Sequence, residues 1–216
     1  MSLIPIERTI IWGYWLAFFM LVTIGIFTYS NSRELASSDY ALAHTNQVLD
    51  ELHNINAIAL EMESAARGYA ISPQPAFKNT VESGEAILLN YLMELNTLVA
   101  TNIDQKNNVA ELERKITRFA LIQRTIVRLR DVQSYEVVAD YMASSEALRV
   151  SGELKLHIRL IQKFENSLLE KRKSIRNELI ESFNWLYISL LSSVFIAMII
   201  LYSNIITTLR RNKASS

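Results

Sequence analysis

Few side chains in this chain of 216 residues could carry out chemistry, and their spacing argues against most reactions. The histidines His44, His53 and His157 are scattered, and the first two are nine residues apart, whereas a spacing of four would place two imidazoles on one helix face. The sequence has no cysteine, which excludes thiolate zinc ligands, cysteine nucleophiles and disulfides. Its five glycines form no phosphate-binding loop. We therefore predict no catalytic residue, no metal site and no cofactor.

The most suggestive polar pair is Glu63 and Arg67, which are four residues apart with the acid first. This order favours an ion pair on a helix surface worth about 0.3–0.5 kcal/mol. Gly68 and Tyr69 follow directly. Two interpretations stay open: a surface ion pair beside a helix end shaped by Gly68 and Tyr69, or an arrangement in which Arg67 and Tyr69 face an interhelical pocket or dimer interface and contact a small ligand.

The composition indicates a membrane protein made of helices. A mean hydropathy of +0.13 coexists with 20% charged residues because the charges avoid two runs, Thr9–Ser32 and Phe183–Leu209. About 20 apolar residues cross the ~30 Å hydrocarbon core, so we predict transmembrane helices at residues 9–31 and 183–206. Aromatic residues at the ends of both runs are typical of lipid–water interfaces: Trp12, Trp15, Tyr29, Trp185, Tyr187 and Tyr202.

The alternative for the first run is a cleaved signal peptide, but the run exceeds the usual 7–15 apolar residues and is preceded by only Arg8, offset by Glu7.

The two spans leave an amino-terminal segment 1–8, a central domain 32–182 and a tail 207–216. The formal net charge is zero, which gives no reason to expect a nucleic-acid partner.

The charge distribution predicts the orientation of the chain. The terminal segments carry a net charge of +3, and the segment between the spans carries −3. Basic residues between Lys171 and Arg176 weaken this asymmetry, but long loops cross the membrane largely regardless of their charge. We therefore expect both termini in the cytoplasm and residues 32–182 outside, with the orientation set by Arg8, Arg210, Arg211 and Lys213.

Between the spans, apolar residues recur at alternating spacings of four and three, which is typical of helices with one apolar face. The first helix should end at Ser72–Pro75, and the second should cover Pro75–Thr101. Asp104 is the predicted N-cap of a third helix. A short helix is expected within Asp131–Gly152, and the last helix should run unbroken from Glu153 into the second span. Only five glycines and three prolines are present, which argues against folds with many turns.

Four amphipathic helices can bury their apolar faces only against one another. We therefore predict an all-α fold, an antiparallel up-down four-helix bundle whose first and last helices are continuous with the two transmembrane helices. The bundle should stand off the membrane as a rod, with its loops at the far tip and at the membrane-facing end.

Several short motifs resemble a known family. They are His44-Thr45, the run Glu63-Ser64-Ala65-Ala66-Arg67-Gly68-Tyr69, Phe77, the Asn102–Gln105 break and Phe164–Arg172. Together they make Ser37–Arg172 similar to the CHASE extracellular sensor domain of the third type. The chain departs from that family's pattern at Ser64-Ala65-Ala66, where Thr-Gly-Gln is common. The resemblance implies that the sensor-motif residues are His44, Thr45, Glu63, Arg67, Gly68 and Tyr69.

The resemblance also implies a membrane-bound bacterial receptor, usually a histidine kinase, a nucleotide cyclase or a chemoreceptor-like protein. We therefore expect a sensor in the bacterial inner membrane, with a periplasmic or extracellular domain and an unidentified small-molecule or protein stimulus. It implies a homodimer and a kinase or cyclase output, carried by a longer chain or a partner. The chain itself is not expected to be an enzyme. The alternative is a structural or adaptor protein of the envelope that binds another membrane protein.

Overall fold

The computed structural model describes residues 5–100 and 102–214, with side chains described for residues 11–15, 17–100, 102–207 and 210. Over these residues it contains no strand and five helices. They are α1 (Pro5–Ile71), α2 (Pro75–Leu98), α3 (Ile103–Val132), α4 (Tyr135–Met142) and α5 (Ser145–Ala214). The all-α prediction is confirmed.

The helix boundaries follow from local sequence signals, with three differences from the prediction. α2 ends at Leu98, and Thr101 lies outside the described residues. The prediction of Asp104 as N-cap was wrong, because Asn102 has the extended backbone of a cap and its Oδ1 accepts hydrogen bonds from the Asp104 and Gln105 amides. α5 begins at Ser145, so the last helix starts earlier than Glu153.

The contacts divide the chain into two compact units. One consists of Leu42–Lys171, and the other combines Met1–Ala41 with Arg172–Ser216. The first unit contains the carboxyl-terminal part of α1, all of α2, α3 and α4, and the start of α5. We call it the bundle unit.

In the bundle unit, α1 and α2 are antiparallel. The His44 ring nitrogen Nε2 lies 2.9 Å from the Leu98 carbonyl oxygen at the end of α2, and eighteen residues later Met62 lies against the first half of α2. There a Cβ atom added to Gly84 would lie 2.3 Å from Cγ of Met62. The missing side chain of Gly84 thus lets Met62, which is fully buried, lie against the α2 backbone.

The other neighbours are antiparallel as well. Lys78 and Glu85 of α2 pair with Asp131 and Arg124 of α3, in reverse order along the chain. α3 and α5 are also antiparallel, because the residues that pair between them occur in reverse order along the chain. The ion pair between Arg118 and Glu146 lies near the start of α5, and His157 contacts the Asn108 carbonyl farther along. The four long helices therefore form the predicted antiparallel up-down bundle, with short α4 between α3 and α5.

The core of the bundle unit consists of the predicted apolar faces. Each long helix contributes side chains that are essentially inaccessible to water, because each faces the other three. The largest of these side chains are Leu52, Ile55, Met62, Leu88, Leu95, Leu112, Ile116, Phe119, Leu154 and Ile158.

The second unit consists of the first part of α1 and the last part of α5, also antiparallel. A Cβ on Gly13 would lie 2.9 Å from Leu201, and the rings of Phe27 and Phe183 stack with centroids 6.5 Å apart. α1 and α5 are both long and apolar enough to cross a membrane, and their most apolar windows are not buried in the protein. This exposure separates them from the core helices of a water-soluble domain, which are mostly buried.

Candidate functional site at the Glu63–Tyr69 segment

The segment Glu63–Tyr69 lies in the last turns of α1, and with the next residue, Ala70, it contacts each of the other long helices. Glu63 binds α5, Gly68 lies against α2, and Tyr69 and Ala70 bind α3. We call this region the α1 junction. One short stretch of α1 therefore contacts the three other long helices of the bundle unit.

Glu63 is the most buried charged residue of the junction, with 7% of its surface exposed. Its Oε1 accepts a hydrogen bond from Arg67 at 2.7 Å, and its Oε2 accepts one from Lys155 of α5 at 2.5 Å. A buried carboxylate is costly unless cations and hydrogen bonds compensate it, and here each oxygen has a cationic donor. The ion pair with Arg67 is therefore present, and Glu63 is in addition buried and bound by Lys155 of α5.

Gly68 allows α2 to approach α1 closely. A Cβ atom at this position would lie 3.0 Å from ring atoms of Phe77, tighter than ordinary contacts. Phe77 lies in the first turn of α2, just after the break between the helices. The glycine is thus required by packing between helices, because its backbone φ is not positive and any residue could adopt it.

Tyr69 belongs to a polar cluster at the ends of α1 and α3. Its hydroxyl donates a hydrogen bond to Asp131 Oδ1 at 2.5 Å, and the Lys78 ammonium donates to Oδ2 at 2.7 Å. The Arg130 Nε donates to the Ala70 carbonyl near the end of α1, where helical carbonyls lack partners within the helix.

This cluster shifts the ionisation of its members. The Lys78 ammonium, and next the Tyr69 hydroxyl, lower the pKa of Asp131 by hydrogen bonding to its charged form. The same hydrogen bonds to Asp131 raise the pKa of Tyr69 and of Lys78, because each favours the protonated donor. Over the neutral range the cluster therefore holds one anion between a cation and a hydroxyl.

His44 and Thr45 are not part of the α1 junction. They lie on the same helix as Glu63 but about 28 Å away, at 1.5 Å per residue. His44 contacts the Leu98 carbonyl at the end of α2, and Thr45 is fully buried. The structure therefore separates the predicted sensor-motif residues into two groups at different levels of the bundle unit.

Sequence reasoning missed a small cavity beside the junction. It has a volume of about 30 Å³ and is bounded by α1, α3, α4 and the start of α5. Gln123 lines it with only 2% of its surface exposed, and its side-chain oxygen Oε1 has no hydrogen-bond partner among the described residues. A signal was present, because Gln123 interrupts the apolar face of α3 between Phe119 and Ile126.

A second buried acid was also missed. Glu165 is completely buried on α5, and its Oε1 accepts a hydrogen bond from Gln105 at 2.6 Å. Its Oε2 has no hydrogen-bond partner in the part of the chain that the structure describes. Like Gln123, it occupies a core position that the pattern assigns to an apolar residue. Gln105 lies in the first turn of α3, where the helix dipole favours a nearby negative charge.

The predicted membrane-interface and topology residues lie outside the bundle unit. All six aromatic residues are exposed: Trp12, Trp15, Tyr29, Trp185, Tyr187 and Tyr202. Arg210 is exposed at the end of α5, whereas the side chains of Arg8, Arg211 and Lys213 lie outside the described residues. Over the residues whose side chains are described, no group of three or more His, Asp or Glu side chains could hold a metal ion.

Comparison with known proteins gives a family for this arrangement. The family model described as the CHASE3 domain matches residues 40–174, more than half of the chain. Neither the curated proteins nor the solved structures contain a significant match. The matched range includes the whole bundle unit, the α1 junction and the six residues of the predicted sensor motif.

Replacing Glu63 by glutamine should destabilise the bundle unit. We expect Glu63→Gln to lower the free energy of unfolding by roughly 1–3 kcal/mol, because Lys155 loses its charged partner in a mostly buried site. The measurement is chemical unfolding of the chain in detergent followed by far-ultraviolet circular dichroism. Glu61→Gln is the matched control, since Glu61 is exposed on the same helix and should change stability by less than about 0.5 kcal/mol. Equal effects of the two changes would contradict the described role of Glu63.

The Asp131 cluster predicts a pH dependence. Asp131→Asn should lower the free energy of unfolding by about 1 kcal/mol at neutral pH, a modest effect because the cluster is partly exposed. Folding lowers the pKa of Asp131 below its ordinary value of 3.8. The stabilisation that ionised Asp131 contributes is therefore complete above pH 3.8, and it is lost as the pH falls through the lower pKa of the folded state. Folding raises the pKa values of Tyr69 and Lys78 above their ordinary values. The stabilisation from these two protonated donors is therefore complete below pH 10.0, and it is lost as the pH rises through the pKa values of the folded state.

The test compares the thermal midpoints of the wild type and Asp131→Asn between about pH 3 and pH 11. Their difference should be constant in the middle of the range and shrink at both ends. Asp140→Asn, an exposed acid on α4, is the control and should show neither effect. A difference that grows toward low pH would reject the assignment.

Proposed function

The chain belongs to the CHASE3 domain family, and from this premise we propose that it is the membrane-anchored sensory region of a bacterial signalling protein. CHASE3 is a sensor domain family of signalling proteins. One observation carries the proposal: the match to residues 40–174 coincides with the bundle unit, and both helices that leave this unit, α1 and α5, are long and apolar enough to cross a membrane.

The proposed orientation places both termini in the cytoplasm and the bundle unit in the periplasm or outside the cell. The net charge of +3 on the terminal segments against −3 between the spans supports it. The exposed aromatic residues near the ends of each apolar run would then lie at the two lipid–water interfaces, with the apolar side chains between them facing lipid.

The proposed mechanism uses the helices that link the two units. α5 runs without a break from Ser145 to Ala214, and α1 from Pro5 to Ile71. A stimulus bound to the bundle unit would shift α5 against α1 by a small slide or rotation, and the unbroken helices would carry that shift across the membrane. Ion pairs join the two helices in both units, at Glu63 and Lys155 in the bundle unit and at Asp39 and Arg176 in the other.

Within this proposal Glu63, Arg67, Gly68 and Tyr69 are positioned to couple a stimulus to the helices, because their contacts reach α2, α3 and α5. His44 and Thr45 would act at a different level, through the end of α2. The protein would work as a homodimer and pass its signal to a kinase or cyclase, on a longer chain or on a partner protein. Catalysis would belong to that output.

The orientation can be tested by cysteine labelling, which is clean because the chain has no native cysteine. Ser145→Cys, on the exposed surface at the start of α5, should react with a membrane-impermeant maleimide in intact cells. Ser216→Cys should react only after the cells are permeabilised. The reverse pattern would reject the proposed orientation.

Signal transmission can be tested by helix phase. The chain is fused to the cytoplasmic part of a histidine kinase with a transcriptional reporter, and one to four alanines are inserted after Ser182. Each insertion rotates the rest of α5 by about 100°, so two alanines should change the basal output most and four should largely restore it. The same alanines are also inserted after Ser203, in the second apolar run, to show how the reporter output changes when membrane insertion is impaired.

An output that does not change with the number of alanines would reject transmission through α5. It would favour the alternative that this chain is an adaptor that binds another membrane protein. A steady fall with each added residue, without recovery at four, would indicate that the insertions only unfold the helix, and would equally contradict a phase-dependent signal.

A further inference from the structure

The small cavity beside the α1 junction has the features of a ligand site. Its most buried polar side chain is Gln123, with 2% of its surface exposed, and its most exposed one is Arg67, whose side chain is 60% exposed. We call the Gln123 side of the cavity its bottom and the Arg67 side its rim. Between them the walls are largely apolar and come from α3, α4 and α5.

The acceptor at the bottom is unsatisfied. A buried amide oxygen without a hydrogen bond is destabilising, and native proteins rarely leave one without a partner or a role. Among the residues that the structure describes, the Gln123 oxygen has no hydrogen-bond partner. A ligand that brings an N–H or O–H group into the cavity would recover this cost, which gives the site a preference for hydrogen-bond donors.

The cation at the rim can change partners without leaving a buried charge unpaired. Arg67 uses one guanidinium nitrogen to bind Glu63 Oε1, and a guanidinium has five donor hydrogens. Lys155 holds the other Glu63 oxygen from α5. If Arg67 turned toward a ligand, Lys155 would still compensate Glu63. The two cations and one anion also leave a net positive charge, which attracts an anionic ligand group.

The cavity volume limits what can enter. About 30 Å³ is the volume of one water molecule in the liquid, so only one or two heavy atoms fit below the rim. Met142 of α4 and Leu148 of α5 line the site and would contact a short hydrocarbon group. A long or branched ligand would require these two helices to move.

We propose that this cavity binds a small carboxylate that carries a hydrogen-bond donor on the next carbon, such as a short hydroxy or amino acid. The hydroxyl or ammonium group donates to Gln123 at the bottom, and the carboxylate binds Arg67 at the rim. This proposal rests on the sensory function proposed above and gives it a ligand class. Binding links α1, α3 and α5 at the α1 junction, where Glu63 already joins the first and last of them.

The test measures binding to the intact chain in lipid nanodiscs by isothermal titration calorimetry. Four probes share a three-carbon skeleton and differ only in the groups that matter: L-lactate, L-alanine, propionate without a donor and 2-propanol without a carboxylate. We expect lactate or alanine to bind about tenfold more tightly than propionate, the factor expected for one hydrogen bond to a buried acceptor, and 2-propanol to give no measurable binding. The lactate and alanine arms distinguish a hydroxyl donor from an ammonium donor.

Two variants locate the binding. Gln123→Met keeps the length of the side chain and removes the acceptor, so the variant should fold with an equal or higher thermal midpoint. In this variant lactate and alanine should bind less than about twofold more tightly than propionate. Arg67→Gln should weaken the binding of all carboxylate probes about tenfold. Arg128→Gln removes an exposed arginine elsewhere on α3 and should change nothing.

The proposal is overturned if propionate binds as tightly as both lactate and alanine, or if Gln123→Met keeps the preference. It is also overturned if no probe binds at about 20 mM, since the cavity would then hold water alone. None of these results would alter the phase dependence of the alanine insertions, which is measured without a ligand. A failure of the ligand assignment is therefore distinguishable from a failure of the sensory function.

Discussion

A helix with one apolar face cannot remove that face from water by itself, and the bundle unit follows from this constraint. Each long helix supplies buried side chains at spacings of three and four, and the antiparallel order lets all four faces meet in one core. The short links at Ser72–Gln74 and Val99–Asn102 leave α2 and α3 no alternative to reversing direction beside their neighbours. The positions of the polar groups are consequences of this packing.

The core also contains side chains that hydrophobic packing alone would not select. Glu63, Gln123 and Glu165 are buried at levels where an apolar residue would fit the pattern. Glu63 is compensated by two cations, but within the described residues Gln123 and Glu165 each have one side-chain oxygen without a hydrogen-bond partner. Buried polar groups of this kind reduce stability unless cations or hydrogen bonds compensate them, so hydrophobic packing alone does not account for them.

The α1 junction combines several kinds of contact in one short segment. Its residues have different physical tasks that share one location: charge compensation at Glu63, close helix approach at Gly68 and a hydrogen bond to an acid at Tyr69. The spacing Glu63–Arg67 indicated a helix pair, but Lys155 is 92 residues away in sequence and no local pattern connects it to Glu63. The cap of α3 was misassigned for a related reason, since Asn102 and Asp104 are both good capping residues and only the backbone distinguishes them.

The sequence by itself determined the helical class, the two uncharged runs, the helix breaks at Pro73 and Pro75, and which face of each helix is buried. These follow from local physics, because hydropathy, helical periodicity and proline geometry act over a few residues. Only the tertiary structure decided that Glu63 binds α5, that Tyr69 binds Asp131, and that Gln123 lines a cavity. Each of these depends on the register between helices that are distant in sequence, which is set by the packing of the whole core.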